Sequence, residues 1–447
     1  MKIARAAAAV CVGLLTMAGA QPGFAALLAP KLFLSADGVA LSSVPGKKVL
    51  KRSIEVTRTT GRIAAAWTAS SDQSWLTVTP SGATGDKLTV QASTNGLSPD
   101  QAYTANVTVS TDDGFTDSET LHVGLWIGSS APATVEVQQN ALSIATNPVL
   151  PYAYVSDGGS SVLVYNVYSG KKAATFKNVA PSVGYMDVSS DGGTLFAADT
   201  TNAKIVAVDA AAGTVLGSYA VGYPIDSSFN MVYARPYGQP ALYLAANGNG
   251  AGGVIAYPSG NALISGGFDG GGSFMAVTPD GRSIYTLMTF TSPGSLYGYS
   301  LSANSKGFRL KPTGSQRIEG ENCEDLAVSR DGKHVYPACG APYEFDVYDG
   351  KSLLQVQTLP ANPYPNNAEV DTFDNFVGGL NGLDAPDDIF VYNQKAKSLG
   401  DVATTDYSEE EGQQPASVKV SGDSTRVVSS TNYVFNHTQV LIFRSLP

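Results

Sequence analysis

Between residues 31 and 128 the apolar positions come in short runs that alternate with polar ones. Leu88-Thr-Val90, Asn106-Val-Thr-Val109 and Leu121-His-Val123 show the period of two that belongs to half-buried strands. Clusters of Gly, Asp and Ser separate the runs, as turns separate the strands of a small antiparallel sandwich. After the linker 128–132 the texture changes to longer repeats. A turn-forming pair recurs as Asn147-Pro148, Asp191-Gly192, Pro236-Tyr237, Asp280-Gly281, Asp331-Gly332, Asp374-Asn375 and Asp423-Ser424, at steps of 43 to 51 residues. The third and sixth copies lack the Asp-Gly signal. Behind each turn follows an apolar-aromatic strand, such as Val162-Leu-Val-Tyr165, Lys204-Ile-Val-Ala-Val208 or Asp388-Ile-Phe-Val-Tyr392. Seven turns and seven such strands in step predict seven blades of four short strands.

The ends of the chain complete that picture. The seventh unit reaches its third strand and stops at Pro447, while 133–138 is a strand without a unit of its own. It is expected to supply the outer strand of the seventh blade, closing the ring and removing its exposed edges. The expected fold class is therefore all-β: a small antiparallel β-sandwich over 31–128, then a seven-bladed β-propeller over 133–447.

Composition agrees and narrows the function. Of 447 residues, 43% are hydrophobic and only 15% charged, with Gly at 47 and Pro at 24, which suits many tight turns. A net charge of −10 argues against a nucleic-acid binder, which carries a basic stripe, and against a protein held by anionic lipid. Residues 1–25 read as a secretory signal peptide: Lys2 and Arg5 precede the apolar run Ala6–Leu15, and small residues follow near 20 and 25. That run is shorter than the ~20 residues a membrane span needs. The expected location is secreted or periplasmic. Two cysteines remain, Cys323 and Cys339, almost symmetrical about the turn Asp331-Gly332. An oxidising compartment favours a disulfide between them; the alternative is two buried thiols.

Two resemblances rest on particular residues. Trp67-Thr-Ala-Ser-Ser-Asp-Gln-Ser-Trp75-Leu, followed by Thr79-Pro-Ser-Gly82, resembles the BACON domain, an immunoglobulin-like module of bacterial secreted proteins. Ala153-Tyr-Val-Ser-Asp157, Ser161-Val-Leu-Val-Tyr-Asn166 and Leu195-Phe-Ala-Ala-Asp199 resemble the YVTN-type seven-bladed propellers of surface-layer and periplasmic proteins. That superfamily also holds lactonase-like enzymes and quinoprotein dehydrogenase subunits. The resemblance thus implies a fold, while a propeller hosts unrelated functions.

Signatures of catalysis are scarce. Gly248-Asn-Gly-Ala-Gly-Gly253 fits a dinucleotide pattern literally, but a strand follows it where a helix is required. His122, His334 and His437 are scattered, which weighs against zinc but not against a hard cation held by oxygens. The stronger signal is acidic. Loops expected on one face of the ring hold Glu319, Glu321, Glu324, Asp325, Glu409 and Glu410, a candidate set for Ca2+. Tyr364 and Tyr407 lie in the same loops and are candidates for stacking on a sugar or cationic group. Trp67 and Trp75 are either a carbohydrate platform, as the BACON resemblance implies, or core. The expectation is a monomeric, non-catalytic binding or scaffold protein, taking a protein partner or glycan at the cell envelope. A lactonase-like metal-dependent hydrolase and a propeller subunit of a periplasmic redox complex are the alternatives.

Overall fold

The computed structural model describes residues 30–60, 64–114, 116–226, 229–246, 252–265, 267–268, 274–289, 293–381, 388–403, 411–433 and 439–447. Two packed sheets form the N-terminal domain. One orders Leu32–Leu34, Lys51–Arg58, Lys87–Ala92 and Leu76–Val78; the other orders Lys47–Val49, Gly38–Val44, Glu119–Ile127, Gln101–Ser110, Ala66–Ser71 and Ser81–Ala83. Alternation does the sorting. Lys51–Arg58 exposes Lys51, Ser53 and Glu55 and buries Arg52, Ile54 and Val56. One pairing departs from the antiparallel expectation, since Gly38–Val44 runs parallel to Glu119–Ile127. The chain switches sheets at residues 35–37, so its second strand arrives beside the last one in the same direction.

Beyond the linker, the described strands form seven sheets of four-stranded plan, arranged as a β-propeller. The first six are consecutive in sequence: each pairs its four strands in chain order from Ser143–Thr146 onward to Ser398–Val402. In the seventh, Gln439–Ser445 pairs on one side with Arg426–Tyr433 and on the other with Thr134–Gln138 from before the first blade. Its innermost strand is split into Glu411–Gln413 and Lys419–Val420. The latter piece touches the inner strands of both the sixth and the first blades, so the ring is closed.

A repeated turn shapes four of the blades. In Ser189-Ser-Asp191-Gly192, the Ser189 hydroxyl donates to Asp191 and accepts the Thr194 N–H, while Asp191 accepts the Gly193 N–H. The same bonds recur at Thr278/Asp280, Ser329/Asp331 and Ser421/Asp423. Tyrosines of the second strands then tie neighbours together. Tyr154 donates to the Ala210 carbonyl, Tyr243 to that of Gly281, and Tyr285 to that of Gly350.

The sandwich lies across the face of the ring that carries these turns. Gly38 and Gly124 approach so closely that a Cβ would stand 2.2 Å from the Ser190 carbonyl oxygen and 2.0 Å from that of Val149. Arg235 reaches Asp37 at 2.9 Å and Glu119 at 2.8 Å. Arg282 donates to the Thr59 carbonyl, Arg330 to that of Ser35, and Arg52 to the hydroxyl and carbonyl of Thr372. Lys47 donates to the carbonyls of Leu446 and Pro447 in the last blade. Contacts therefore run to all seven blades and encircle the axis.

Candidate functional site

The inner strands alternate as the outer ones do, and the residues that face the axis line a channel of about 1460 Å³. The sandwich sits across one end of it, and the other end lies on the face that carries the loops between blades. In the second blade the pattern across Val183–Val188 leaves Tyr185 and Asp187 half-buried on the channel side. Tyr233 of the third blade, Glu324 and Asp325 of the fifth, Glu369 of the sixth and Lys419 of the seventh join them.

Several of these side chains stitch one blade to the next. Asp187 accepts the N–H of Val188 at 2.8 Å and that of Tyr233, in the third blade, at 2.6 Å. Asp325 accepts from Leu326 and, in the sixth blade, from Ala368, both at 2.9 Å. Asn367 accepts the Val418 N–H of the seventh blade, and Ser143 accepts that of Met186. Polar residues on the inner strands thus satisfy backbone donors of the adjacent blade.

They also set the potential. Lys419 donates to Glu369 at 3.1 Å. Burial works to lower the Lys419 ammonium, but Glu369 and Asp325 outweigh it and hold the group charged above its usual range. Burial pushes the Asp187 carboxyl up to about 7 and Asp325 up to about 6, against the pull of their backbone donors and of Lys419. Lys419 thus stands among four carboxyls of the channel wall, Asp187, Glu324, Asp325 and Glu369, and burial pushes the first three upward.

At the open mouth, Cys323 and Cys339 face each other on adjacent strands of the fifth blade and are joined by a disulfide. Beside it stand two exposed tyrosines. Tyr343 and Tyr364 meet edge to face with centroids 5.2 Å apart, 51% and 37% exposed. Tyr364 holds a positive φ of 62°, a costly conformation for an aromatic residue.

Other candidates from the sequence are placed differently. Trp67 and Trp75 pack in the sandwich core, 1% and 8% exposed, so neither presents a ring to a glycan. Trp67 follows the alternation of Ala66–Ser71, and Trp75 turns inward from the turn that precedes Leu76–Val78. Glu319 and Glu321 are exposed, Glu324 is half-buried on the channel wall, and Asp325 is turned toward Lys419. Among the described residues no three carboxylate, histidine or cysteine side chains gather as a metal would need. Glu409, Glu410, Tyr407 and His437 lie outside the described residues. Asp199 serves as a turn acceptor for Thr201, Asn202 and the Asn202 amide. In the glycine pattern, Gly252 and Gly253 begin a strand, Gly252–Ala256. Sequence reading missed Tyr343, Asp187 and Lys419; only the period-two pattern of the inner strands pointed to the last two.

Comparison with known proteins bears on both domains. A model of the viral BACON domain matches residues 43–126. No curated protein matches the chain. Among solved structures, the hydrazine synthase of Kuenenia stuttgartiensis superposes with a TM-score of 0.51 at 16% identity, over 68% of this chain and 96% of that one. At that identity the likeness speaks for the fold alone.

Proposed function

We propose that this protein is a non-catalytic binding module that works outside the cytoplasm, as a monomer, with the channel and its mouth as the ligand site. The observation that carries this reading is the placement of the sandwich. It occupies one face of the ring, leaving the mouth on the opposite face for a ligand, where the Tyr343–Tyr364 pair is exposed. Aromatic rings held at an angle suit the apolar face of a sugar, and the polar channel behind them suits its hydroxyl groups. A glycan of the cell envelope, or a glycosylated partner protein, is the ligand class we assign. The disulfide fits an oxidising compartment, and the matched BACON segment fits an adaptor role for the sandwich. The propeller belongs, on this reading, with the YVTN type.

Titration calorimetry with envelope oligosaccharides tests the proposal. Binding should weaken on the order of tenfold or more when Tyr343 and Tyr364 are both replaced by Ala, since stacked aromatic contacts contribute roughly 0.5–1.5 kcal/mol each. Unchanged affinity would remove the mouth from the site. A screen with lactones and chromogenic esters, with and without calcium, separates this reading from a lactonase-like hydrolase. Turnover above the blank would overturn it.

A further inference from the structure

A second opening, of about 790 Å³, lies between the two domains at the rim of their contact. In a chain of net charge −10 its walls are unusual, because guanidinium groups from both domains converge there. Arg52, 8% exposed, donates to the Thr372 hydroxyl and carbonyl and lies over the Phe373 ring at 3.7 Å. Arg330 donates to the Ser35 carbonyl. Arg282 lies over the Tyr237 ring at 4.3 Å and donates to the Thr59 carbonyl.

The partners of Arg52 and Arg330 are neutral oxygens. Among the described residues neither guanidinium makes an ion pair with a carboxylate. Glu55, Asp280, Asp331 and Asp374 also line the cleft. Asp331 bonds Ser329 and Lys333, Asp374 bonds the Arg330 backbone N–H and the Gln394 amide, and Asp371 and Asp374 attract the guanidinium groups without pairing with them. A guanidinium has five N–H donors, and these two use only part of that set on protein atoms. No nitrogen of either is buried without a partner, and both residues line the cleft. Burial lowers both groups, and the nearness of Arg330 lowers Arg52 further, to about 10. An anion in the cleft relieves that like-charge contact.

We infer that this interdomain cleft is an anion-binding site, built by Arg52 and Arg330 with Lys51 at its entrance, for a small molecule bearing a phosphate or sulfate group. Paired planar forks match tetrahedral oxyanions better than single carboxylates. The cleft adjoins the channel at Pro279 and Arg330, but Lys51 and Arg52 line the cleft alone, so the Lys51 variant and the tyrosine variant of the mouth report on the two readings independently.

The test is calorimetric titration and thermal melting of the full chain with sodium phosphate and with sodium sulfate, against chloride at equal ionic strength. One anion per chain should bind, and the melting temperature should rise with its concentration. A preference for phosphate assigns a phosphorylated ligand; equal or stronger sulfate binding assigns a sulfated one. Arg330→Gln should weaken binding on the order of tenfold, the loss that accompanies one charge-assisted hydrogen bond. Lys51 is exposed, so Lys51→Gln keeps the fold and decides the matter should Arg330→Gln fail to fold; it should weaken binding severalfold. Absence of binding by both anions, or affinity unchanged in Lys51→Gln, overturns the inference.

Discussion

A carboxylate that accepts two backbone N–H bonds ordinarily titrates low, yet burial lifts Asp187 to about 7 and Asp325 to about 6. The consequence for stability has a definite sign. Between about pH 4 and pH 7 the unfolded chain has released these protons while the folded ring retains them. The unfolded state then binds fewer protons, so stability falls as pH rises through that window. Urea unfolding should show a lower midpoint at pH 7.5 than at pH 5. In Asp187→Asn the amide nitrogen cannot accept one of the two N–H bonds, so the variant should be less stable at pH 5. Its pH dependence should be shallower, because one titrating group is gone. An unchanged slope would mean that Asp187 ionises freely in the folded ring. Sequence alone could not show this, since Asp187 and Asp191 look alike as letters. One faces the channel and crosses a seam between blades; the other closes its own turn.

Among the elements, the turns were the most legible. Ser/Thr-x-Asp-Gly carries its own hydrogen-bond acceptors and its own left-handed glycine, with φ of 74°, 66° and 72° at Gly192, Gly281 and Gly332. The third blade's turn needed other means, a short 3-10 turn Pro236–Gly238 with Tyr237 at a φ of 54°, which is why its signal was weak. The acids of the mouth were harder to read, because composition does not distinguish a turn acceptor such as Asp199 from a ligand. The disulfide was legible from symmetry about one turn, and the structure places Cys323 directly opposite Cys339. It closes a short loop, with a separation of 16 residues. Replacing both cysteines by Ser should lower the unfolding free energy by about 3 kcal/mol if chain entropy dominates. Denaturant titration measures this, and a loss below about 0.5 kcal/mol would assign the bridge no role in stability.

At the scale of the molecule, the docking of the two domains escaped sequence reading altogether. Arg235 is 198 residues from Asp37 and 116 from Glu119, and no local pattern links them. Two glycines permit the approach: Gly124→Val would drive its side chain into the Val149 backbone. Proteolysis of that variant at the linker should be faster than in the parent, whereas equal rates would place slack in the interface. Arg235 is the charged centre of the contact. Leaving Asp37 and Glu119 buried without it should cost about 3–5 kcal/mol of docking free energy.

The claim on which the rest depends is that the sandwich is seated on the ring, across one end of its channel. Small-angle X-ray scattering of the chain tests this directly. A docked pair should scatter as one compact particle, with a radius of gyration near the ~22 Å that scaling gives for a compact chain of this length. Arg235→Asp, which sets three acids against one another, should swell the particle and flatten the high-angle curve. If the parent chain already scatters as two bodies on a loose tether, the channel is open at both ends and the account fails.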